Sequence, residues 1–201
     1  MKDVVLREYK DRVLQPLAQR FFASVSPNLI SVVALIPGLL SAAAIYQGEL
    51  LWGVGFWFLN RLLDGLDGVV SRVYGKNSDF GGYLDLLLDY VVYLAIPIAF
   101  VAAQPTSAHI WTLVFLLASY QINSLSWTLL SSLLEKRQLA CKSRATSIAM
   151  PAGLIEGAET IVFYTLFYLL PAQISWLFAV MAILVFFTAG QRLWWAWRNF
   201  E

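Results

Sequence analysis

The chain has 201 residues, of which 59% are hydrophobic, and a formal net charge of +1. This apolar excess over an ordinary soluble domain indicates a membrane protein, and the near-neutral charge argues against a nucleic-acid partner. The single cysteine excludes an internal disulfide. Because the chain also has only one histidine, a zinc site built from cysteine and histidine ligands is excluded as well.

The N-terminal segment, residues 1–26, alternates charged and apolar side chains at helical spacing. Its apolar positions are Val4, Val5, Leu6, Tyr9, Val13, Leu14, Leu17, Phe21 and Phe22. This pattern predicts an amphipathic helix lying on the cytoplasmic leaflet, with a soluble juxtamembrane helix as the alternative. It is not typical of a secretory signal peptide, which has an apolar stretch and a small-residue cleavage site. Ser26 or Asn28 could cap the helix that follows.

Six apolar stretches follow within residues 27–198, and each approaches the roughly 20 residues that a helix needs to cross a bilayer. They are Leu29–Tyr46, Leu50–Val73, Tyr83–Ala103, Ile110–Leu134, Ile148–Leu170 and Ile174–Trp195. Polar turns and helix breakers separate them. We therefore predict an all-α integral membrane protein of one domain, residues 1–201, with an interfacial N-terminal helix and a core of six transmembrane helices.

Lysine and arginine residues concentrate in alternate connections. The N-terminal segment, the second and fourth connections and the C-terminus carry them, whereas the first, third and fifth connections carry none. The positive-inside rule gives this distribution for six spans with both termini in the cytoplasm. The expected location is therefore the cytoplasmic (inner) membrane.

The second and third predicted spans carry charged side chains, which are costly inside a membrane. These are Arg61, Asp64, Asp67, Arg72, Asp85 and Asp89. Asp64 and Asp67 lie side by side on the polar face of one helix, and Asp85 and Asp89, four residues apart, share a face of the next. Because the connection between the spans is short, we predict antiparallel neighbours whose acids face each other near the cytoplasmic end.

Four carboxylates in an apolar setting repel one another unless cations neutralise them. Oxygen ligands alone suit hard cations such as Mg²⁺, Mn²⁺ or Ca²⁺, and two such ions would balance four negative charges. Pairs of divalent ions are a known device for displacement at phosphorus. Arg72 could bind a phosphate in bidentate fashion. Small residues would let a bulky anion approach the backbone, namely Gly68, Ser71, Gly81 and Gly82.

Two other interpretations of these charges stay open at this point. One is a buried network of ion pairs, in which Arg61 and Arg72 face some of the aspartates; two arginines do not balance four acids. The other is an ion or proton pathway in a transporter, where intramembrane acids also occur. The paired broken helices that usually accompany such a pathway are absent from the sequence pattern.

Residues 64–89 read DGLDGVVSRVYGKNSDFGGYLDLLLD. This stretch resembles the signature of the CDP-alcohol phosphatidyltransferases, D-x2-D-G-x2-A-R-x8-G-x3-D-x3-D. The residues that match in type and spacing are Asp64, Asp67, Gly68, Arg72, Gly81, Asp85 and Asp89. The departure is Ser71, where the family usually has alanine. Serine is small enough to preserve the sterics, but it leaves open a changed contact near the nucleotide, or an inactive relative that binds CDP-lipid.

The resemblance implies an enzyme that transfers a phosphatidyl group from a CDP-linked lipid, usually CDP-diacylglycerol, to an alcohol and releases CMP. It implies that Asp64, Asp67 and Asp85 bind divalent cations, two Mg²⁺ or Mn²⁺ ions, with Asp89 as a further metal ligand and general base. The implied contacts with the CDP-lipid are Pro27, Asn28, Leu29, Ile30, Gly68, Ser71, Arg72, Ser78 and Gly81. The family is commonly homodimeric, and membrane lipid is a further expected partner.

The acceptor alcohol is indicated only weakly. An acceptor that carries a phosphate needs a basic pocket, for which Arg137, Lys142 and Arg144 are candidates, although ordinary positive-inside charge explains them as well. Family members that use inositol phosphate resemble one another in having arginines near the start of the fifth span. This chain has Met-Pro-Ala at 150–152, which argues against that acceptor.

The fifth span also carries Glu156 and Glu159. Either could bind hydroxyls or a cationic head group of the acceptor, or pair with Arg61 or Arg192. The spacing of Gly153 and Gly157 is alternatively typical of a small-residue face for helix packing.

Overall fold

The structure of the chain is a computed structural model, which describes residues 14–140 and 153–200. Within these ranges every regular element is helical, as predicted for an all-α protein. The apolar positions predicted before residue 14, the start of the fifth predicted span, and Lys142 and Arg144 lie outside the described residues.

The helices fall into two compact units that divide after Thr106. The first unit contains α1 (residues 14–21), α2 (Pro27–Tyr46), α3 (Leu50–Val73) and α4 (Asp79–Ala103). The second contains α5 (Ser107–Ala140), α6 (Gly157–Leu169), a short 3₁₀ turn (Pro171–Gln173) and α7 (Ile174–Phe200).

Four helical stretches in the described residues are long and apolar enough to cross a membrane. They are Pro27–Tyr46, Asp79–Ala103, Ser107–Arg137 and Pro171–Phe200. The helix α3 has 24 residues but carries two arginines and two aspartates, and α6 has only 13 residues. Four candidate spans are therefore established, and the count of six stays a prediction.

The start of α6 corrects the predicted fifth span. Residues 153–156 are not helical, so the helix begins at Gly157 instead of continuing from Ile148. The cause is a capping box, in which the Glu156 side chain accepts from the backbone of Glu159 and the Glu159 side chain accepts from the backbone N–H of Glu156 at 3.3 Å. Hydropathy does not detect this stop, because the residues before it are also apolar.

The helix α2 packs closely against both α3 and α4. At Gly38 a Cβ would lie 2.5 Å from Cγ2 of Val92 and 3.1 Å from Nδ2 of Asn60, so glycine permits the close contact with α4 and α3. The predicted neighbours α3 and α4 meet through their side chains. Their backbones approach each other less closely than either approaches α2, and long side chains connect them.

The helix α1 packs onto the ends of α2 and α3. Leu14 and Ala18 are buried in a cluster with Ile30 of α2, and with Leu66, Val69 and Val70 of α3. Phe21 remains exposed. The described part of the predicted amphipathic helix therefore buries one face against protein, and its contact with a membrane surface stays a prediction.

Two side chains after α3 hold the turn between α1 and α2. The hydroxyl of Tyr74 donates to the carbonyls of Ala18 and Gln19 at 3.4 and 3.3 Å. The ammonium of Lys76 donates to the carbonyls of Ala23 and Val25 at 2.9 and 3.2 Å. The carbonyls of Gln19, Ala23 and Val25 lie at or after the end of α1, where the helix offers no partner of its own, whereas the Ala18 carbonyl also accepts the backbone N–H of Phe22 at 3.0 Å.

In the second unit α5 and α7 pack along each other. Their ends are joined by Arg137, which donates to the carbonyls of Asn199 and Phe200 at 3.3 and 2.8 Å and stacks on the Phe200 ring at 4.2 Å. Arg137, a candidate for binding the phosphate of the acceptor alcohol, thus caps the last turn of α7. Deeper in the unit, the hydroxyls of Tyr120 and Tyr164 form a buried hydrogen bond of 3.1 Å.

Candidate active site

The four aspartates on α3 and α4 form two pairs, each joining one helix to the other. The carboxyl group of Asp67 lies beside that of Asp85, and the carboxyl group of Asp64 lies beside that of Asp89. We name Asp67 and Asp85 the cavity pair and Asp64 and Asp89 the arginine pair. The structure therefore brings together the acids that the sequence spacing predicts to face each other.

The cavity pair lies at the wall of a cavity of about 190 Å³. Asp67 is only 5% exposed, and its Oδ2 accepts a hydrogen bond of 2.5 Å from the hydroxyl of Ser31 on α2. Ser31 was missed by the sequence analysis, because a lone hydroxyl on an apolar helix gives no periodic signal. Ser31 lies one helical turn after Pro27 and Asn28, which are predicted to contact the CDP-lipid, and this spacing could have indicated that Ser31 faces the same site.

Most of the residues predicted to contact a CDP-lipid line this cavity, namely Pro27, Asn28, Gly68, Ser71, Arg72, Ser78 and Gly81. Two others do not line it. Leu29 is 55% exposed, and Ile30 is buried in the cluster that receives α1. Lys76 and Asn77 also line the cavity, although the sequence analysis considered only that the second connection is basic.

The start of α4 shows why one wall of the cavity needs glycine. Ser78 caps α4, and its Oγ accepts the backbone N–H of Gly81 at 3.0 Å. A Cβ at Gly81 would lie 2.9 Å from Oδ1 of Asn28 and 3.0 Å from Oγ of Ser78. At Gly82 a Cβ would meet nothing within 4 Å. Gly81 therefore lets the Asn28 side chain approach the turn of the neighbouring helix.

The cavity lining is rich in groups that bind anions. Arg72 and Lys76 supply positive charge, and Ser71 and Ser78 supply hydroxyls. The Ser71 hydroxyl donates to Oδ1 of Asn77 at 2.8 Å, so serine at this signature position orders a neighbouring lining residue. Basic and hydroxyl donors beside carboxylates are the combination that a phosphate bridged to a divalent cation requires.

The arginine pair is held by Arg61, whose side chain is 8% exposed. Its Nη2 and Nη1 lie 2.6 and 3.3 Å from the two carboxylate oxygens of Asp89, which makes the ion pair bidentate. Nη1 also lies 3.7 Å from Oδ2 of Asp64. One arginine therefore faces both acids of this pair, and part of the ion-pair interpretation of the sequence is correct.

Three neighbours fix the guanidinium of Arg61 in place. It lies over the rings of Trp57 and Tyr93, 4.8 and 5.1 Å from their centres. Oδ1 of Asn60 accepts from both Nε and Nη2, and Nδ2 of Asn60 donates to the carbonyl of Ala34 at 2.8 Å. The Tyr93 hydroxyl accepts a further bond from Nη1 at 2.9 Å.

The donors present suit divalent cations that keep part of their coordination for water and substrate. In the described residues, no group of three or more acidic, histidine or cysteine side chains is arranged so as to hold a metal ion. Asp64, Asp85 and Asp89 nevertheless line one small pocket between the helices, and Asp67 and Asp85 line the larger cavity. Mg²⁺ is commonly held by one or two carboxylates, with the remaining positions filled by water and phosphate oxygens. Each pair supplies that number of carboxylates.

In the second unit the two glutamates serve the turn before α6. Oε1 of Glu156 accepts the backbone N–H of Gly153 at 2.6 Å, and Glu159 completes the capping box. Glu156 also attracts the guanidinium of Arg192, which donates to Oδ1 of Asn123 at 2.6 Å. Of the roles predicted for the glutamates, the structure supports an electrostatic attraction between Glu156 and Arg192, whereas their part in the turn before α6 was not predicted.

Known proteins match both the sequence and the fold. The profile of the CDP-alcohol phosphatidyltransferase family matches residues 24–197. The inner membrane protein YnjF of Escherichia coli (strain K12) is 30% identical over 174 residues, which are 85% of this chain and 82% of that protein. This relative and the four apolar helices support an inner membrane protein that crosses the bilayer several times.

Two solved structures share the fold. Phosphatidylinositol phosphate synthase of Mycobacterium tuberculosis with CDP-DAG bound has a TM-score of 0.75 at 19% identity, over 92% of this chain and 94% of that one. The same synthase in complex with manganese and citrate has a TM-score of 0.70 at 21% identity, over 92% and 88%. The match of the family profile covers most of the sequence, including all four aspartates. The chain therefore belongs to the CDP-alcohol phosphatidyltransferase family.

Proposed function

We propose that the protein transfers a phosphatidyl group from CDP-diacylglycerol to an alcohol and releases CMP. The observation that carries the proposal is the cavity of about 190 Å³ in which the cavity pair meets Arg72, Lys76 and the small residues of the signature. The solved relative that holds CDP-DAG shares this fold, which supports the choice of donor lipid.

We further propose two divalent cations, Mg²⁺ or Mn²⁺, with Asp64, Asp67, Asp85 and Asp89 as ligands. When bound, such ions neutralise the pyrophosphate and stabilise the departing CMP. The oxygen-only donors support this assignment, and so does the shared fold with a synthase solved in complex with manganese.

The residues of the chain supply positioning and proton transfer. Arg72 and the lining hydroxyls orient the phosphates, and Asn28 and Gly81 shape the wall against which the CDP portion lies. Asp89 accepts the proton of the attacking hydroxyl, and the bidentate contact with Arg61 orients its carboxylate. No serine, cysteine or histidine nucleophile is needed, so the phosphatidyl group passes directly to the alcohol in an in-line displacement.

In the membrane we propose six spans, with both termini and the active site on the cytoplasmic side, an N-terminal helix at the interface, and a homodimer. The alternation of basic connections supports the sidedness. Single-cysteine labelling of the connections would test it: labelling of both termini from the periplasmic side contradicts it.

Release of CMP tests the reaction. Purified protein is incubated with CDP-diacylglycerol, Mg²⁺ or Mn²⁺, and in turn glycerol 3-phosphate, inositol phosphate, serine and other alcohols. We expect CMP release that depends on the metal and on one class of acceptor. Cation flux into liposomes without CMP release under any of these conditions would instead favour a transporter.

A further inference from the structure

We propose that Asn77 binds the cytidine part of the CDP-lipid and that Ser71 positions the Asn77 side chain. The Nδ2 amino group of Asn77 donates to an acceptor atom of the ribose or of the cytosine base, while its Oδ1 is held by the Ser71 hydroxyl. This inference rests on the proposed function for its ligand. It gives a role to the signature position at which this chain departs from the family, and to a residue that the signature leaves unspecified.

The turn between α3 and α4 is fixed on both sides of Asn77. At the end of α3, the backbone N–H of Lys76 donates to the carbonyl of Ser71 at 2.9 Å, and Gly75 has a φ of 61°, in the left-handed region. Both features are typical of a Schellman C-cap. At the start of α4, the Ser78 side chain caps the helix. Asn77 is therefore held between two capped helix ends, although its side chain is exposed.

The Ser71 hydroxyl decides which end of the Asn77 amide is presented to the cavity. It donates to Oδ1 at 2.8 Å, and both residues line the cavity. An asparagine amide combines an acceptor oxygen with an amino group that has two donors. Because the oxygen is held by Ser71, the amino group is the part that is left for a ligand. A side chain ordered in this way before binding loses less entropy when the ligand arrives.

The position of Asn77 along the cavity indicates which part of the lipid it meets. Asp85 lies six residues after the first residue of α4, about 9 Å along the helix axis, and Asn77 precedes that first residue. The guanidinium of Arg72 folds back towards Gly68, where a Cβ would lie 3.1 Å from its Nη1. The pyrophosphate is therefore expected beside Arg72 and the carboxylates, and the amide at the other end of the lining is placed for the nucleoside.

Binding of CMP, ribose 5-phosphate and inorganic phosphate tests the inference, measured by isothermal titration calorimetry with Mg²⁺ present. In Asn77→Ala the Kd of CMP should rise about tenfold, and that of inorganic phosphate should stay within about twofold of the wild type. If ribose 5-phosphate is weakened as much as CMP, the acceptor atom belongs to the ribose; if it is unaffected, the atom belongs to cytosine. An unchanged Kd of CMP, or an equal loss for inorganic phosphate, would overturn the inference.

The substitution Ser71→Ala tests whether Ser71 acts through Asn77. The Kd of CMP should rise about threefold in the wild-type background and by less in the Asn77→Ala background, because residues that share one interaction are not additive. Ser71→Thr keeps a hydroxyl and should restore most of the affinity. An equal loss with and without Asn77 would show that Ser71 does not position the amide.

Two further variants separate binding from local structure. Asn77→Asp still accepts from Ser71 but has no donor, and its charge repels phosphates, so CMP should bind at least as weakly as to Asn77→Ala. Wild-type affinity in Asn77→Asp would mean that Asn77 serves only the turn, contrary to the inference. Asn199→Ala removes an exposed amide that donates to the carbonyl of Trp195, and it provides the matched control with unchanged CMP binding.

The release of CMP keeps the two proposals apart. A wild type that releases CMP from CDP-diacylglycerol, with an affinity for CMP that is insensitive to position 77, refutes the inference alone. A wild type that neither binds nor releases CMP refutes the proposed function, and with it the ligand assigned to Asn77.

Discussion

Each unit of the chain buries an arginine among apolar helices, and the two arginines are used differently. Arg61 in the first unit is surrounded by partners and faces the carboxylates of Asp64 and Asp89. Arg192 in the second unit donates to Asn123 and attracts Glu156, while its Nε is buried without a hydrogen-bond partner among the described residues. Arg61 orients the carboxylate of Asp89, and Arg192 connects α7 to α5 and to the turn before α6.

The same contrast holds for the other polar residues. In the first unit, acids, hydroxyls and basic side chains converge on one cavity. In the second unit they cap helix ends, as Glu156 and Arg137 do, or join helices, as Tyr120 and Tyr164 do. Substitutions of the residues at the cavity should therefore change turnover, and those of the polar residues in the second unit should change stability.

The largest effect is expected from the acids. Asp85→Asn removes a charge from the cavity pair, and Asp89→Asn removes the proposed base. Each should lower the rate of CMP release by about a hundredfold or more. Asp79→Asn, at an exposed position in the first turn of α4, is the control and should keep the wild-type rate. Full turnover in either active-site variant would contradict the assigned roles.

A smaller effect should follow from filling the space at Gly81. In Gly81→Ala the new methyl group meets Asn28 and Ser78, so Asn28 must withdraw from the cavity wall. We expect KM for CDP-diacylglycerol to rise about tenfold, with a lesser change in kcat. Gly82→Ala adds the same methyl group next door, where nothing lies within 4 Å, and should leave KM unchanged. Equal KM values for the two variants would show that the contact with Asn28 does not shape the substrate site.

Lys76→Met should loosen the turn between α1 and α2. The substitution removes the hydrogen bonds to the carbonyls of Ala23 and Val25. Because Lys76 is exposed, we expect a loss of only about 1 kcal/mol, seen as faster amide exchange in residues 18–26. Lys136→Met, at an exposed position of α5, provides the matched control. Unchanged exchange in residues 18–26 would mean that the buried contacts of Leu14 and Ala18 hold the turn without Lys76.

The smallest effect is expected in the second unit. Tyr164→Phe removes the buried hydroxyl that bonds to Tyr120, while Tyr120 keeps its contact with Sδ of Met181 at 3.3 Å. The free energy of unfolding should fall by about 1 kcal/mol, and CMP release per folded molecule should stay within about twofold of the wild type. Tyr46→Phe, at a position 63% exposed, should change neither quantity. A large loss of turnover in Tyr164→Phe would contradict the view that polar residues of the second unit affect stability alone.

The sequence predicts the elements whose boundaries are marked by a change of composition. The bounds Leu50–Val73 of α3 are the predicted ones, because a turn with glycine stands on either side of an unbroken helical run. The start of α6 escapes prediction, since it depends on reciprocal side-chain bonds between Glu156 and Glu159 within an apolar stretch. The position of α2 against both α3 and α4 is a tertiary property, which helical periodicity does not contain.

For the site, spacing alone predicts that the four acids meet, because residues three and four apart share a helix face. Spacing does not predict how they are divided. The arrangement depends on Ser31, which donates to Asp67 from another helix, and on Arg61, which lies 2.6 Å from Asp89 and 3.7 Å from Asp64. The contacts of Ser31 and Arg61 depend on how α2 packs against its neighbours. The pattern of charges in the sequence does not predict that packing.

The length of α5 has a consequence for the depth at which the second unit sits. Its 34 residues extend for about 51 Å, against about 30 Å for the hydrocarbon core of a bilayer. An upright or moderately tilted α5 therefore overhangs the core by several turns, and its charged end at Glu135, Lys136 and Arg137 reaches beyond the lipid tails. Since Arg137 donates hydrogen bonds to the last carbonyls of α7, the C-terminal ends of α5 and α7 lie at the same depth in the membrane.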